Sequence, residues 1–229
     1  MKTIGLIGGM SWESSIEYEK IINTEVRQQL GGTSSADLII RSYNFAEIEE
    51  MQEAGDWDAA GDRLATDARH LERAGAEAIA ICTNTMHKVA DVVEMAIGVP
   101  LIHIADATAV EITSVGINTV AVLGTRYTME QAFYVERLGS HGLTTIVPDE
   151  TDRTMINTVI FEELVRGEVR DSSKAQYREA VAVLIDRGAE GVVAGCTEIE
   201  LLIDQGDVPV PFFPSAAIHA RSIADFSLG

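Results

Sequence analysis

Short apolar runs alternate along the chain with longer segments in which apolar residues return every three or four positions. Thr3 to Ile7 is a continuous run of β type, the pattern of a strand covered on both faces. Gly8-Gly9-Met10 reads as a tight turn and Ser11 as the N-cap of a helix reaching about Leu30. Trp12, Ile16, Ile22, Val26 and Leu30 stand at near-helical spacing, and Gly31-Gly32 stops the helix. The pattern then predicts a strand from Asp37 to Tyr43, a loop with a short acidic helix from Asn44 to Trp57, and a helix from Asp58 to Ala74. Ala60, Leu64, Ala68 and Leu71 share one face of that helix. Ala78 to Ile81 reads as the third strand, Thr85 to Ile97 as a helix and Val99 to Ile104 as a fourth strand.

After a helix from about Asp106 to Ser114 the order begins again. Thr119 to Gly124 imitates Thr3 to Gly8 and precedes a helix from Thr128 to about Leu138. A strand from Leu143 to Val147 and helices near Thr151–Arg166 and Asp171–Arg187 follow. The apolar run Gly191 to Gly195 matches Ala78 to Ile81, and Val210-Pro211-Phe212-Phe213 echoes Val99-Pro100-Leu101-Ile102. A terminal helix spans Ser215 to about Phe226. Three landmarks recurring in one order predict two homologous α/β halves, since alternating strands and helices build parallel sheets. The fold expected is two pseudo-symmetric Rossmann-like domains, each a mostly parallel sheet flanked by helices, with the active site in the cleft between them. Residues 1–104 with 210–229 form the first domain on this reading and 105–209 the second.

The repeat carries chemistry at one point. Gly75-Ala76-Glu77 and Gly188-Ala189-Glu190 introduce the two strands that end in Cys82-Thr83-Asn84-Thr85 and Cys196-Thr197-Glu198. These are the only cysteines among 229 residues. A thiol between a strand end and a helix start lies near backbone N–H groups and the positive end of a dipole, which favour the thiolate. Two opposed thiol groups can take a proton from one face of a carbon and return one to the other, which is stereoinversion. They would titrate as a coupled pair. A developing carbanion next to a carboxylate also needs donors, and Thr83, Asn84, Thr85, Thr125 and Thr197 are placed to supply them.

Plainer roles exist for each group. Free cysteines are commonly buried as small apolar residues, Asn84, Thr85 and Thr197 suit helix caps, and Thr125 suits a simple turn. His87 and Lys88 read as packing or solvated residues, and His103 and His219 as hydrogen-bonded core histidines. No His/Cys/Asp spacing matches a metal site, and neither a dinucleotide fingerprint nor a Walker lysine is present. None of the four lysines falls in a stretch expected at the cleft floor, which argues against a Schiff base. The expectation is a site without metal or cofactor.

A hydrophobic content of 46% with 23% charged residues is that of an ordinary globular chain. The formal net charge of -19 counts against nucleic acid and anionic membrane as partners. It would also repel an anionic substrate at long range, so local donors would have to hold one. No run approaches the ~20 apolar residues of a membrane span, and the opening residues do not read as a signal peptide. A cytoplasmic location is therefore expected, where both cysteines stay reduced.

Gly8-Gly9-Met10-Ser11-Trp12-Glu13-Ser14, Cys82-Thr83-Asn84-Thr85-Met86-His87-Lys88 and Gly195-Cys196-Thr197-Glu198-Ile199 resemble the motifs of the aspartate/glutamate racemase family. The likeness runs along nearly the whole chain and is closest to the aspartate racemase branch. It implies cofactor-independent racemisation of a small-molecule amino acid with Cys82 and Cys196 as the two bases, two α/β domains and a homodimer. Glutamate racemases usually continue the second motif with His where this chain has Glu198, so that activity is disfavoured. Some aspartate racemases of the family carry a basic residue after the second strand and another on the helix preceding the second half's crossover. Asn44 to Ile48 and Leu164 to Gly167 match neither clearly, which questions strict specificity for an acidic side chain. Broad-specificity members look similar, and there Met10 and Gln52 would lie near the substrate. A decarboxylase or cis–trans isomerase of a small dicarboxylate on the same scaffold is the alternative, or a carboxylate sensor without turnover.

Overall fold

In the computed structural model, which describes residues 1–229, Ile4–Gly8 forms β1 and is buried along its whole length. It pairs in parallel with β2 (Leu38–Ser42) on one side and β3 (Ala78–Ile81) on the other. Parallel neighbours need long crossovers, and the helices predicted from the apolar spacing provide them. The first is α1 (Trp12–Leu30), capped by Ser11, whose side chain accepts from the Ser14 N–H. The next are α2 (Phe45–Ala54) and α3 (Trp57–Arg73), the latter burying Ala60, Leu64, Ala68 and Leu71 as the sequence predicts. A 3-10 turn at Thr85–Val89 and α4 (Ala90–Ala96) lead to β4 (Leu101–Ile102), which completes the order β2-β1-β3-β4.

The second sheet repeats this topology as β6-β5-β7-β8, again parallel at every pairing. After α5 (Ile104–Ser114) come β5 (Thr119–Gly124), α6 (Arg126–Glu130), α7 (Ala132–Ser140) and β6 (Thr144–Ile146). They are followed by α8 (Glu150–Glu162), α9 (Asp171–Asp186), β7 (Gly191–Gly195) and α10 (Ile199–Leu202), then by β8 (Phe212–Pro214) and α11 (Ser215–Leu228). No helix is long and apolar enough to cross a membrane.

The duplicated Gly-Ala-Glu does the same work in both sheets. Glu77 donates its N–H to the Thr3 carbonyl at 2.8 Å, and its carboxylate accepts from the Thr3 N–H. Glu190 donates to the Thr119 carbonyl at 2.8 Å, and its carboxylate accepts from Asn118 and Thr119. Each glutamate thus satisfies backbone groups where a central strand begins. Each unit also has its own apolar core, one around Ile7, Leu64, Ile81 and Met86 and the other around Leu123, Tyr177, Leu184 and Val192.

Several expectations are corrected. The compact units are Met1–Ile104 with His219–Gly229, and Ala105–Ile218. Residues 210–218 therefore belong to the second unit, because Phe212, Phe213 and Pro214 pair with β7. The helix expected at Thr85–Ile97 divides into the 3-10 turn and α4, and that expected at Thr128–Leu138 breaks at Gln131, whose φ of -97° and ψ of 145° are extended. The face α1 buries is Ser14, Tyr18, Ile22 and Val26. Trp12, Ile16 and Leu30 are exposed instead.

Candidate active site

In each sheet the strand order reverses beside its central strand, between β1 and β3 and between β5 and β7. Open α/β sheets bind ligands beyond the strand C-termini at this switch point. The residues found there are Gly8-Gly9-Met10 with Cys82 to Thr85 in one unit, and Thr125 with Cys196 and Thr197 in the other. Register fixes the neighbours: Ile7 is opposite Ile81, which sets Gly8 alongside Cys82, and Gly124 is opposite Gly195, which sets Thr125 alongside Cys196.

Glycine is required for this approach. A Cβ on Gly8 would lie 2.6 Å from Ser15 Oγ, and one on Gly9, whose φ is +81°, would lie 2.3 Å from the Tyr43 nitrogen. In the second unit a Cβ on Gly195 would lie 2.8 Å from the Leu123 carbonyl oxygen.

Cys82 is 1% exposed and donates its N–H to the Ile7 carbonyl at 2.8 Å. Burial pushes its thiol well above the ordinary range. The turn after it is fastened by His87, which is buried. The Ile104 N–H donates to His87 Nε2 at 3.1 Å, so Nδ1 carries the proton and donates to the Thr83 carbonyl at 2.7 Å. Asn84 and Thr85 are buried beside it, and the Asn84 side chain makes no capping bond. Gln52 donates to Met86 Sδ at 3.1 Å, and Met10 packs in the same apolar cluster as Met86. Gln52 therefore contacts the turn that follows Cys82, and Met10 belongs to the apolar cluster that Met86 joins. A cavity of about 180 Å³ in this unit has Gly8, Trp12, Ser15, Ile16, Ile40 and Cys82 in its wall.

Cys196 is half-buried. Its Sγ donates to Glu198 Oε2 at 2.9 Å. Burial first, and then the Glu198 carboxylate, push this thiol well above its ordinary value. Thr125 is buried at the start of α6, with its hydroxyl 3.4 Å from that of Thr128 and no side-chain capping bond. Thr197 is half-buried next to Cys196 and accepts the Glu200 N–H at its carbonyl.

The expected pull toward thiolate is corrected by these surroundings. Thr85–Val89 is a 3-10 turn and α10 has 4 residues, so neither thiol has a long helix behind it, and burial outweighs what dipole there is. Lys88 is engaged with an aromatic ring, its ammonium 3.8 Å from the centre of the Trp57 ring. His219 is a core histidine, donating from Nε2 to the Ile102 carbonyl at 2.7 Å and accepting the Tyr18 hydroxyl at Nδ1. His103 is buried with its ring centre 4.4 Å from that of His87. No group of three or more His, Cys, Asp and Glu could hold a metal ion.

Two features escaped the sequence reading. One is the bond from Cys196 to Glu198, for which an acid two positions beyond a thiol was the available signal. The other is Tyr43, buried against the Gly8-Gly9 turn with the guanidinium carbons of Arg41 and Arg63 at 4.5 and 5.1 Å from its ring centre. Both cations are engaged, Arg41 with Asp67 at 3.1 Å and Arg63 with Glu47 at 2.6 Å.

Comparison with known proteins adds to this geometry. The profile of the Asp/Glu/hydantoin racemase family matches residues 7–223. The broad specificity amino-acid racemase RacX of Bacillus subtilis (strain 168) is 26% identical over 224 residues, covering 96% of this chain and 95% of that protein. The crystal structure of a candidate Asp/Glu racemase from Yersinia pestis is 52% identical, with a TM-score of 0.96 and 100% of both chains covered. An aspartate racemase homologue from Pyrococcus horikoshii OT3 is 39% identical, with a TM-score of 0.88 over 100% of both chains.

Proposed function

Because the chain belongs to the Asp/Glu/hydantoin racemase family, we propose that it inverts the α-carbon of an amino acid without a cofactor, using Cys82 and Cys196 as paired acid and base. The observation that carries this reading is the repetition of one thiol at the same switch-point strand end in two sheets of identical topology. A thiolate on one removes the α-proton while the thiol of the other protonates the opposite face, and the roles exchange for the other enantiomer. Both thiols are held in the neutral form by burial, so the base must be generated when substrate binds. The ammonium group of the amino acid supplies the compensating positive charge. Thr83, Asn84, Thr85, Thr125 and Thr197 would receive the carboxylate and its developing charge, with Met10 and Gln52 shaping the pocket.

Incubation with L- or D-amino acids in deuterated water should place deuterium at Cα with loss of optical activity. Failure to exchange any amino acid in a broad panel would overturn the reading. Cys82→Ala and Cys196→Ala should each lower the rate by at least about 10³-fold, and full activity in either variant would end the two-base scheme. A decarboxylase needs a proton donor on one face only, so two thiols at matching strand ends favour racemisation.

The substrate proposed is broader than aspartate. Arg41 and Arg63, which lie against the Tyr43 ring, already hold carboxylates of the protein, and the curated relative is named for broad specificity. Chiral chromatography of a D- and L-amino-acid panel tests this; turnover of aspartate alone would refute it. A cytoplasmic homodimer belongs to the same proposal. Trp12, Ile16 and Ile40 are exposed and line one cavity, and contiguous apolar surface marks an interface. Sedimentation velocity should show a dimer that Ile16→Glu weakens, and a monomeric wild type would refute it.

A further inference from the structure

One buried side chain beside the first thiol has no part in the two-base scheme, yet it is bonded to the turn after Cys82. His87 is 3% exposed. Its Nδ1–H donates to the Thr83 carbonyl at 2.7 Å, and its Nε2 accepts the Ile104 N–H at 3.1 Å. The ring is backed by that of His103, centred 4.4 Å away, and by that of His219 at 5.8 Å. We infer that His87 is a positioning residue for the substrate carboxylate, acting by fixing which way the Thr83–Asn84 peptide faces. The inference rests on the role proposed above for Thr83, Asn84 and Thr85, and adds to it the group that aims them.

A peptide unit is planar, and in the trans form present here its C=O and N–H point to opposite sides. A Thr83 carbonyl drawn back to the buried imidazole therefore turns the Asn84 N–H away from the histidine rings. The neighbouring peptides are anchored through the backbone. Cys82 donates to the Ile7 carbonyl at 2.8 Å, Thr83 to that of Ile81 at 2.9 Å and His87 to that of Asn84 at 3.0 Å. The Thr83 carbonyl is held by a side chain instead.

Turning that peptide over would carry the φ of Asn84 from -69° to the positive side. Asn tolerates this region better than most residues, so the backbone alone chooses weakly between the two orientations. In the overturned one a carbonyl dipole would meet the substrate carboxylate where an N–H should. The bond from His87 forms in one orientation only, and a buried hydrogen bond is enough to select it by about tenfold.

The test separates the two ring nitrogens. In His87→Asn the side-chain amide can donate to Thr83 as Nδ1–H does, and in His87→Gln it can accept from Ile104 as Nε2 does. Each variant leaves one buried backbone group without its partner, so both should lose similar stability in urea. A ring whose Nε2 accepts is neutral, as an amide is, so the charge is unchanged. Cys82 is then alkylated in parallel with iodoacetate and with iodoacetamide, in about 0.2 M salt to screen the net charge. The ratio of the two rates is read on the Cys82 peptide by mass spectrometry. Only iodoacetate bears a carboxylate, so the ratio reports the donors beside the thiol, whereas a loosened fold speeds both reagents alike.

Wild type and His87→Asn should share a ratio about tenfold above that of His87→Gln. Equal ratios in the two variants would reduce His87 to a packing residue and overturn the proposal. So would a wild-type ratio no higher than that of the urea-unfolded chain, a comparison that stands even if neither variant folds. Alkylation needs no turnover, so the proposal can fail while racemisation stands, or hold where no racemisation is found. In an active enzyme His87→Gln should raise KM about tenfold, because the carboxylate is bound before the proton moves, and His87→Asn should recover most of that loss.

Discussion

Gly9 and His219 are two single positions at which the structure of unit 1 makes a measurable demand. At Gly9 a positive φ of 81° coincides with a backbone contact that a methyl group would bring to 2.3 Å. Gly9→Ala should destabilise the protein by ~3 kcal/mol and lower its melting temperature by roughly 10 °C in calorimetry. His219 is fully buried among Tyr18, His87 and His103, and burial pushes its pKa down from 6.5 to about 4. Its folded value lies below its unfolded one, so its contribution is complete above pH 6.5 and is lost as the pH falls from there toward 4. Urea unfolding should show about 3 kcal/mol of stability disappearing across that window. His219→Gln should flatten the acid limb.

Elements add constraints that single positions do not reveal. The cysteine sites were legible because each joins a fully buried apolar run to a polar tripeptide, and Gly195 or Gly8 marks the close approach of a neighbouring strand. The core face of α1 was legible at Ile22 and Val26 but not at its first two turns. Trp12 and Ile16 outrank Ser14 and Tyr18 in hydrophobicity, yet the buried partner of Tyr18 is polar, the His219 ring. Apolar spacing cannot show a buried hydroxyl and the imidazole that accepts it from 201 residues away. Tyr18→Phe leaves that nitrogen without its donor and should cost ~1–2 kcal/mol in denaturant titration. The place of β8 was misread for a related reason. Val-Pro runs at 99 and 210 look alike, and each ends the sheet of its own unit, so a repeat identifies the element without saying which sheet it closes.

On the scale of the whole molecule, the net charge of -19 produces a field that single ion pairs do not cancel. It opposes the approach of a dicarboxylate and is nearly indifferent to a zwitterion. Raising the salt from about 0.02 to 0.2 M shortens the screening length severalfold. It should raise kcat/KM for aspartate several-fold and leave that for alanine unchanged. Equal responses would place the charge away from the route of entry.

Unit 1 is assembled from two stretches of chain that flank an uninterrupted unit 2, and this has a consequence for vectorial synthesis. As the polypeptide leaves the ribosome, Tyr18 and the Ile102 carbonyl emerge long before the imidazole that joins them, and Lys2 long before the Ser227 it hydrogen-bonds. Unit 2 is complete first as a nascent domain. The strands of unit 1 emerge before unit 2, yet unit 1 is completed after it.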